Sequence, residues 1–189
     1  MKRWFALSAI GGDRPGIVAD LAEMIYECDC NLEDSSMTVL GGEFAVLLLL
    51  SGTQPGIDDQ LRSACKRVEW EKRLTVFFRP LDGEPVPYGA GQVLAPYRFH
   101  ALGIDKAGIV ARVCRCFANH GINITQLQSG SRPEPQSGTP LYTMRIRLDV
   151  PAVVDVGALR RELDEIAGEL RIDATLERCD EGTEAGGRT

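Results

Sequence analysis

Apolar side chains recur along this chain with two alternating periods. The run from Arg3 to Ile10, rich in aromatic and aliphatic residues, has the composition of a strand. Gly11-Gly12-Asp13-Arg14-Pro15-Gly16 interrupts it. Ile17, Leu21, Met24, Ile25 and Cys28 then follow at steps that place them on one helical face, which predicts a helix over about Pro15–Cys28. Asp13 stands where a helix cap is expected, and Pro15 near the first helical position. Asn31–Leu40 and Glu43–Leu50 read as strands joined by the two-residue hairpin signal Gly41-Gly42. Phe44, Val46, Leu48 and Leu50 face one side of the return strand; Ala45, Leu47 and Leu49 face the other. Apolar residues on both sides predict that both are covered, one by the unit's own helices and the other by the second unit or another chain. Ile57, Leu61, Ala64 and Val68 mark a second helix over about Gly56–Val68, and Leu74–Phe78 a last strand.

The pattern then repeats. A shift of 92 residues places Gly11 on Gly103, Asp13 on Asp105, Arg14 on Lys106, Gly16-Ile17-Val18-Ala19 on Gly108-Ile109-Val110-Ala111, and Asn31 on Asn123. The second unit offers a strand at Tyr97–Gly103 and a helix striped by Ile109, Val113, Cys116 and Phe117. Strands at Asn123–Ser129 and Leu141–Val150 flank a long loop at Ser131–Pro140. A helix striped by Leu159, Leu163, Ile166 and Leu170, and a strand alternating at Ile172, Ala174 and Leu176, complete it. Four prolines and several glycines make 80–96 a linker. The expected organisation is a first domain at 1–79, the linker at 80–96, a second domain at 97–179 and a disordered polar tail at 180–189. Strand, helix, strand, strand, helix, strand in each unit gives an α+β fold: two ferredoxin-like (βαββαβ) domains, each an antiparallel sheet with two helices on one face.

Charge and chemistry narrow the classes. The net charge of −6 opposes direct nucleic-acid binding, and aromatic residues, at 6%, are too few for an RNA-reading sheet. No apolar run is long enough for a membrane helix, and no export signal is apparent, so a cytoplasmic location is expected. The six cysteines then read as reduced residues, since neither Cys28-x-Cys30 nor Cys114-x-Cys116 has the C-x-x-C spacing of redox or zinc sites. His100 and His120 have no marked partner, and no nucleophile elbow, phosphate loop or zinc-protease motif occurs. The expectation is a protein without catalytic residues, metal or cofactor.

The repeated turn is the candidate site. The first N–H groups of a helix lack internal partners and attract negative charge, so a small carboxylate can bind there. Gly16 lets a ligand approach closely, and the Asn31 amide offers both donors and acceptors. Asp13 suits either a ligand ammonium or helix capping, while Arg14 and Lys106 read as solvated. Asn31 and Asn123 fit a ligand role or a turn between helix and strand.

Asp13-Arg14-Pro15-Gly16-Ile17-Val18 with Cys30-Asn31-Leu32-Glu33, and Asp105-Lys106-Ala107-Gly108-Ile109-Val110 with Gly121-Ile122-Asn123-Ile124, resemble the ACT domain. The resemblance covers about residues 3–179. Asn31-Leu32-Glu33-Asp34-Ser35 and Ser137-Gly138-Thr139-Pro140-Leu141-Tyr142 are similar to the glycine cleavage system transcriptional repressor group. The resemblance implies a regulatory protein that binds a small amino acid, glycine or serine, at interfaces between ACT domains. It also implies a partner regulatory protein and a homo-oligomer. Its matching site residues are Asp13, Arg14, Gly16, Ile17 and Asn31, with Asp105, Lys106, Gly108, Ile109 and Asn123 in the second unit. Ala107 stands where the first unit has Pro15, a departure that leaves one more backbone N–H at the helix start. The alternative is a ligand-independent interaction or dimerisation module.

Overall fold

A computed structural model describes residues 1–104, 106–133 and 138–179. The chain divides into two compact units, Met1–Val86 and Pro87–Thr189. The expected tail at 180–189 lies outside the described residues, as do positions 134–137 of the long hairpin loop.

The first unit runs β1 (Arg3–Gly12), α1 (Ile17–Glu27), β2 (Asn31–Leu40), β3 (Glu43–Gly52), α2 (Ile57–Lys72) and β4 (Thr75–Leu81). Its sheet has the order β2-β3-β1-β4, and every described pairing is antiparallel. Gly41 and Gly42 make the β2–β3 turn with φ of 62° and 85°, which their lack of Cβ allows at both central positions. Phe5, Leu7 and Ala9 of β1 and Val46, Leu48 and Leu50 of β3 form a core with Ile17, Leu21 and Met24 of α1 and Ile57 and Leu61 of α2. Both helices therefore lie on one face.

On the other face Leu47 is 59% exposed and Phe77 74% exposed, so nothing within the unit supplies the cover that the alternation of β3 suggested. The two helices are the only further layer in the unit, and both are used on the Phe5–Leu7–Ala9 side. The second helix also runs one turn beyond its apolar stripe, to Lys72. Those added residues are polar apart from Trp70, which is exposed, so burial gives no signal for them. β4 passes through Pro80, which an edge strand tolerates because it need not donate on its outer side.

The second unit runs β5 (Leu94–Ile104), α3 (Ile109–Asn119), β6 (Asn123–Pro133), β7 (Pro140–Pro151), α4 (Val156–Leu170) and β8 (Ile172–Arg178), with sheet order β6-β7-β5-β8. Phe99, Ile146, Phe117, Val113, Leu159 and Leu163 lie at its centre. β5 begins three residues earlier than the pattern suggested. Pro96 fits there because pairing with β8 starts only at Tyr97. Both edge strands carry a register shift at the same relative place, between Leu32 and Asp34 and between Ile124 and Gln126, so the repeat extends to a matched bulge.

Candidate functional site

Each repeated turn joins the end of a central strand to the start of a helix. In the first, Asp13 N–H donates to the Gly42 carbonyl at 2.8 Å, which ties the turn to the β2–β3 hairpin. The residue at the helix N-cap is Gly16, left-handed at φ 90°, and Gly108 repeats this at φ 94°. Neither helix start has a side-chain cap. Asp13 is thus not the cap that the sequence suggested: a left-handed glycine turns the chain into the helix three residues later, and Asp13 is exposed. Pro15 accordingly precedes the cap instead of opening the helix. At α4, by contrast, the Asp155 carboxylate accepts from Gly157 N–H at 2.9 Å and Ala158 N–H at 3.1 Å, so that end is already filled. The α2 start resembles the repeated turns, with a left-handed Gly56 and no side-chain cap. An uncapped start alone therefore does not mark a site.

The repeated glycines have separate reasons. A Cβ on Gly11 would stand 2.7 Å from Leu74 Cδ2 and 3.2 Å from the Arg73 carbonyl oxygen. One on Gly103 would stand 2.7 Å from Ile172 Cγ2 and 3.1 Å from the Arg171 carbonyl oxygen. These two permit the sheet to pack against the start of β4 and β8. A Cβ on Gly16 would meet only Arg14 Nη1, at 3.9 Å, and one on Gly108 nothing within 4 Å, so these two are needed for their backbone angle. The Ile17 and Ile109 side chains are buried in the cores, so only their backbone N–H groups are available to a ligand.

Charge around the first turn comes from a residue that the motif did not include. Asp20 Oδ2 lies 2.7 Å from Arg14 Nη2, and Asp20 Oδ1 lies 2.8 Å from Lys72 Nζ. Lys72, then Arg14, hold its carboxyl below the usual range. Arg14 is therefore both exposed and paired. A shallow pocket beside the turn is lined by Gly12, Arg14, Asp20, Glu71, Lys72 and Arg73, offering cations for a carboxylate and carboxylates for an ammonium. In the second unit Arg112 replaces Asp20 and pairs with Glu169 of α4, so the helix–helix ion pair is kept with its polarity reversed. Lys106 is exposed, and Asp105 lies outside the described residues.

The structure does not bring Asn31 to its own turn. Asn31 pairs with Ser51, which pairs with Trp4, whereas the turn follows Gly12 at the opposite end of β1. Eight residues of strand separate the two ends by about 26 Å. Asn123, opposite Asp149, is likewise at the far end of its sheet from Ile104. Helix α1 carries the chain back along the sheet before β2 begins, so an interval of fifteen residues is not proximity. Asn31 instead belongs to a cluster in which its amide, Lys2 and Ser51 all contact Glu33. Lys2 first, then Ser51 and Asn31, hold the Glu33 carboxyl down to about 2.

Tyr142 was also missed. It lies opposite Gly103 at the strand end leading to the second turn, is 8% exposed, and its hydroxyl has no hydrogen-bond partner among the described residues. The first unit has Phe44 opposite Gly11, so comparison of the repeats at this place would have revealed the added hydroxyl. His120, which has no marked partner in the sequence, bonds Glu162 through Nε2 at 2.8 Å. All six cysteines are free, and burial pushes the Cys30 and Cys65 thiols up to about 11, away from the reactive thiolate.

Two family models, both described as ACT domain, match residues 4–79 and 102–168. The glycine cleavage system transcriptional repressor of Escherichia coli (strain K12) is 25% identical over 175 residues, covering 93% of this chain and 90% of that protein. A crystal structure of an unknown protein from Galdieria sulphuraria has a TM-score of 0.75 at 27% identity, covering 95% of this chain and 100% of the other. A crystal structure provisionally named as a glycine cleavage system transcriptional repressor has a TM-score of 0.72 at 20% identity, covering 96% and 99%. This last likeness is one of fold.

Proposed function

The chain belongs to the ACT domain family, with two such domains in tandem, and from this we propose that it senses a small amino acid and reports it to a partner regulatory protein. The observation that supports this most is the turn built twice: a left-handed glycine, a helix start without a side-chain cap, and a basic residue two positions before the glycine. The ligand carboxylate accepts from the N–H groups at Gly16–Ile17 and Gly108–Ile109. In the first unit Asp20 and Glu71 face the ammonium. The lining of this pocket, with side chains of both charges and no large apolar group, suits a small zwitterion such as glycine or serine better than a larger apolar amino acid.

Asn31 and Asn123 enter such ligand sites from another ACT domain, as a second copy of the chain would supply. An antiparallel meeting of edge strands brings the start of one to the end of its neighbour, which carries an asparagine from the far end of one sheet to the turn of another. The edges suit that role. β2 is ten residues long and exposed throughout, with Leu32, Met37 and Val39 on the core side of the sheet, beyond the cover of the helices. A ligand that binds the associated form more tightly shifts the population toward it, and the partner protein reads the difference. No bond is made or broken in this role, in keeping with the regulatory name of the Escherichia coli relative.

A thermal-shift screen of the full chain against the proteinogenic amino acids tests the reading. Glycine or serine should raise the melting temperature, and Asn31→Ala with Asn123→Ala should abolish the response. Silence across the panel, with the chain still self-associating, would favour a ligand-independent interaction module. Capture of the partner with and without the active amino acid then tests the regulatory step.

A further inference from the structure

We propose that Cys116, His120 and Glu162 form a divalent-metal site in the second unit, best matched to zinc. Cys116, in the last turn of α3, and His120, its C-cap, stand four residues apart, and Glu162 meets them from α4. Their ligand atoms all lie within 4.8 Å of one another. The thiol is fully buried, while the His120 and Glu162 side chains are 22% and 41% exposed, so the cluster has an inner donor and a rim open to entry. A thiolate, an imidazole and a carboxylate are the donors zinc takes in tetrahedral sites, with a water in the fourth position. Binding releases the thiol proton to solvent and displaces the Nε2 hydrogen bond between His120 and Glu162, the neutral imidazole ligand carrying its proton on Nδ1.

The duplicated fold supplies an internal control. The turn alignment places Cys116 and His120 on Met24 and Cys28. The left-handed residues that end α2 and α4, Arg73 and Arg171, place Glu162 on Ala64. Met24, Cys28 and Ala64 are all buried in the first core, and Cys28 and Ala64 line one surface pocket there, so the corresponding positions do face each other. One unit thus packs this helix pair with apolar side chains. The other has a metal donor at all three places at once. A lone His–Glu ion pair accounts for two of those changes; the third sets a buried thiol within hydrogen-bond reach of the same carboxylate. The proposal does not depend on amino-acid binding at the turns.

Cobalt(II) titration of the chelator-treated full chain tests it. One equivalent should produce a thiolate-to-cobalt charge-transfer band in the near ultraviolet and tetrahedral bands in the visible, bleached by one equivalent of zinc. Cys116→Ser should remove the charge-transfer band and Cys114→Ser should keep it. Glu162→Gln and His120→Gln, at the partly exposed rim, keep the core intact and should weaken cobalt binding at least ~10-fold, since even outer-shell changes cost that much. Absence of the band, its survival in Cys116→Ser, or binding by Glu162→Gln within twofold of the wild type would each overturn the proposal.

Discussion

Substitution of two glycines in the first turn separates packing from backbone strain. Alanine at Gly11 puts a Cβ 2.7 Å from the end of the Leu74 side chain and 3.2 Å from the Arg73 carbonyl oxygen. The leucine can move, but the carbonyl is held where α2 passes into β4, so overpacking of about 1–3 kcal/mol is expected. Alanine at Gly16 meets only Arg14 Nη1, at 3.9 Å, and pays for the left-handed backbone alone, about 1–2 kcal/mol. Asparagine discriminates between the two. It tolerates the left-handed region, so Gly16→Asn should lose about half of what Gly16→Ala loses. Being larger, it should make Gly11→Asn worse than Gly11→Ala. Both tryptophans, Trp4 and Trp70, lie in this unit, so their fluorescence follows its unfolding. With a slope near 1 kcal/mol/M, the urea midpoint for Gly16→Ala should fall by about 1–2 M. A Gly11→Ala variant as stable as the wild type, or an asparagine at position 16 no better than alanine, would refute this division.

Neighbouring leucines of β3 should respond oppositely: Leu48→Ala, in the core, costs about 2–5 kcal/mol, while Leu47→Ser, on the open face, changes monomer stability by less than about 0.5 kcal/mol, both read by urea unfolding. Tyr142→Phe should raise the stability of the second unit by about 1 kcal/mol, measured by calorimetry, because it removes a buried hydroxyl that lacks a partner. Glu33, held down to about 2 by Lys2, Ser51 and Asn31, should titrate far below its ordinary 4.5 in a pH series followed by NMR. Its contribution is complete above pH 4.5 and is lost as pH falls from there toward 2, and Lys2→Ala should move its titration back up.

Much of this fold is legible in the sequence because its devices are local. Gly41-Gly42 can be read as a tight hairpin because both positions need positive φ, and the stripe Leu159–Leu163–Ile166–Leu170 because period and burial coincide. The repeat is legible because the same strand-to-helix turn requires the same glycines twice. What the sequence conceals depends on distance and direction. Lys72 reaches Asp20 from fifty-two residues away, on a helical turn with no apolar stripe. Asp13 has a residue type that suits a cap, but the left-handed Gly16 sets the entry to the helix. The common interval from glycine to asparagine records the length of one helix and its return, which ends at the far side of the sheet. Glu162 meets Cys116 and His120 only after α4 packs on α3, and no interval within either helix could have shown it.

In the proposed role both repeated turns hold an amino acid by their backbone N–H groups. Amide NMR of the full chain during titration with glycine and then serine addresses it most directly. Saturable shifts of the amide signals of Gly16, Ile17, Gly108 and Ile109 are expected with at least one of the two. Unchanged signals at these four positions, at millimolar concentrations of both amino acids, would contradict it.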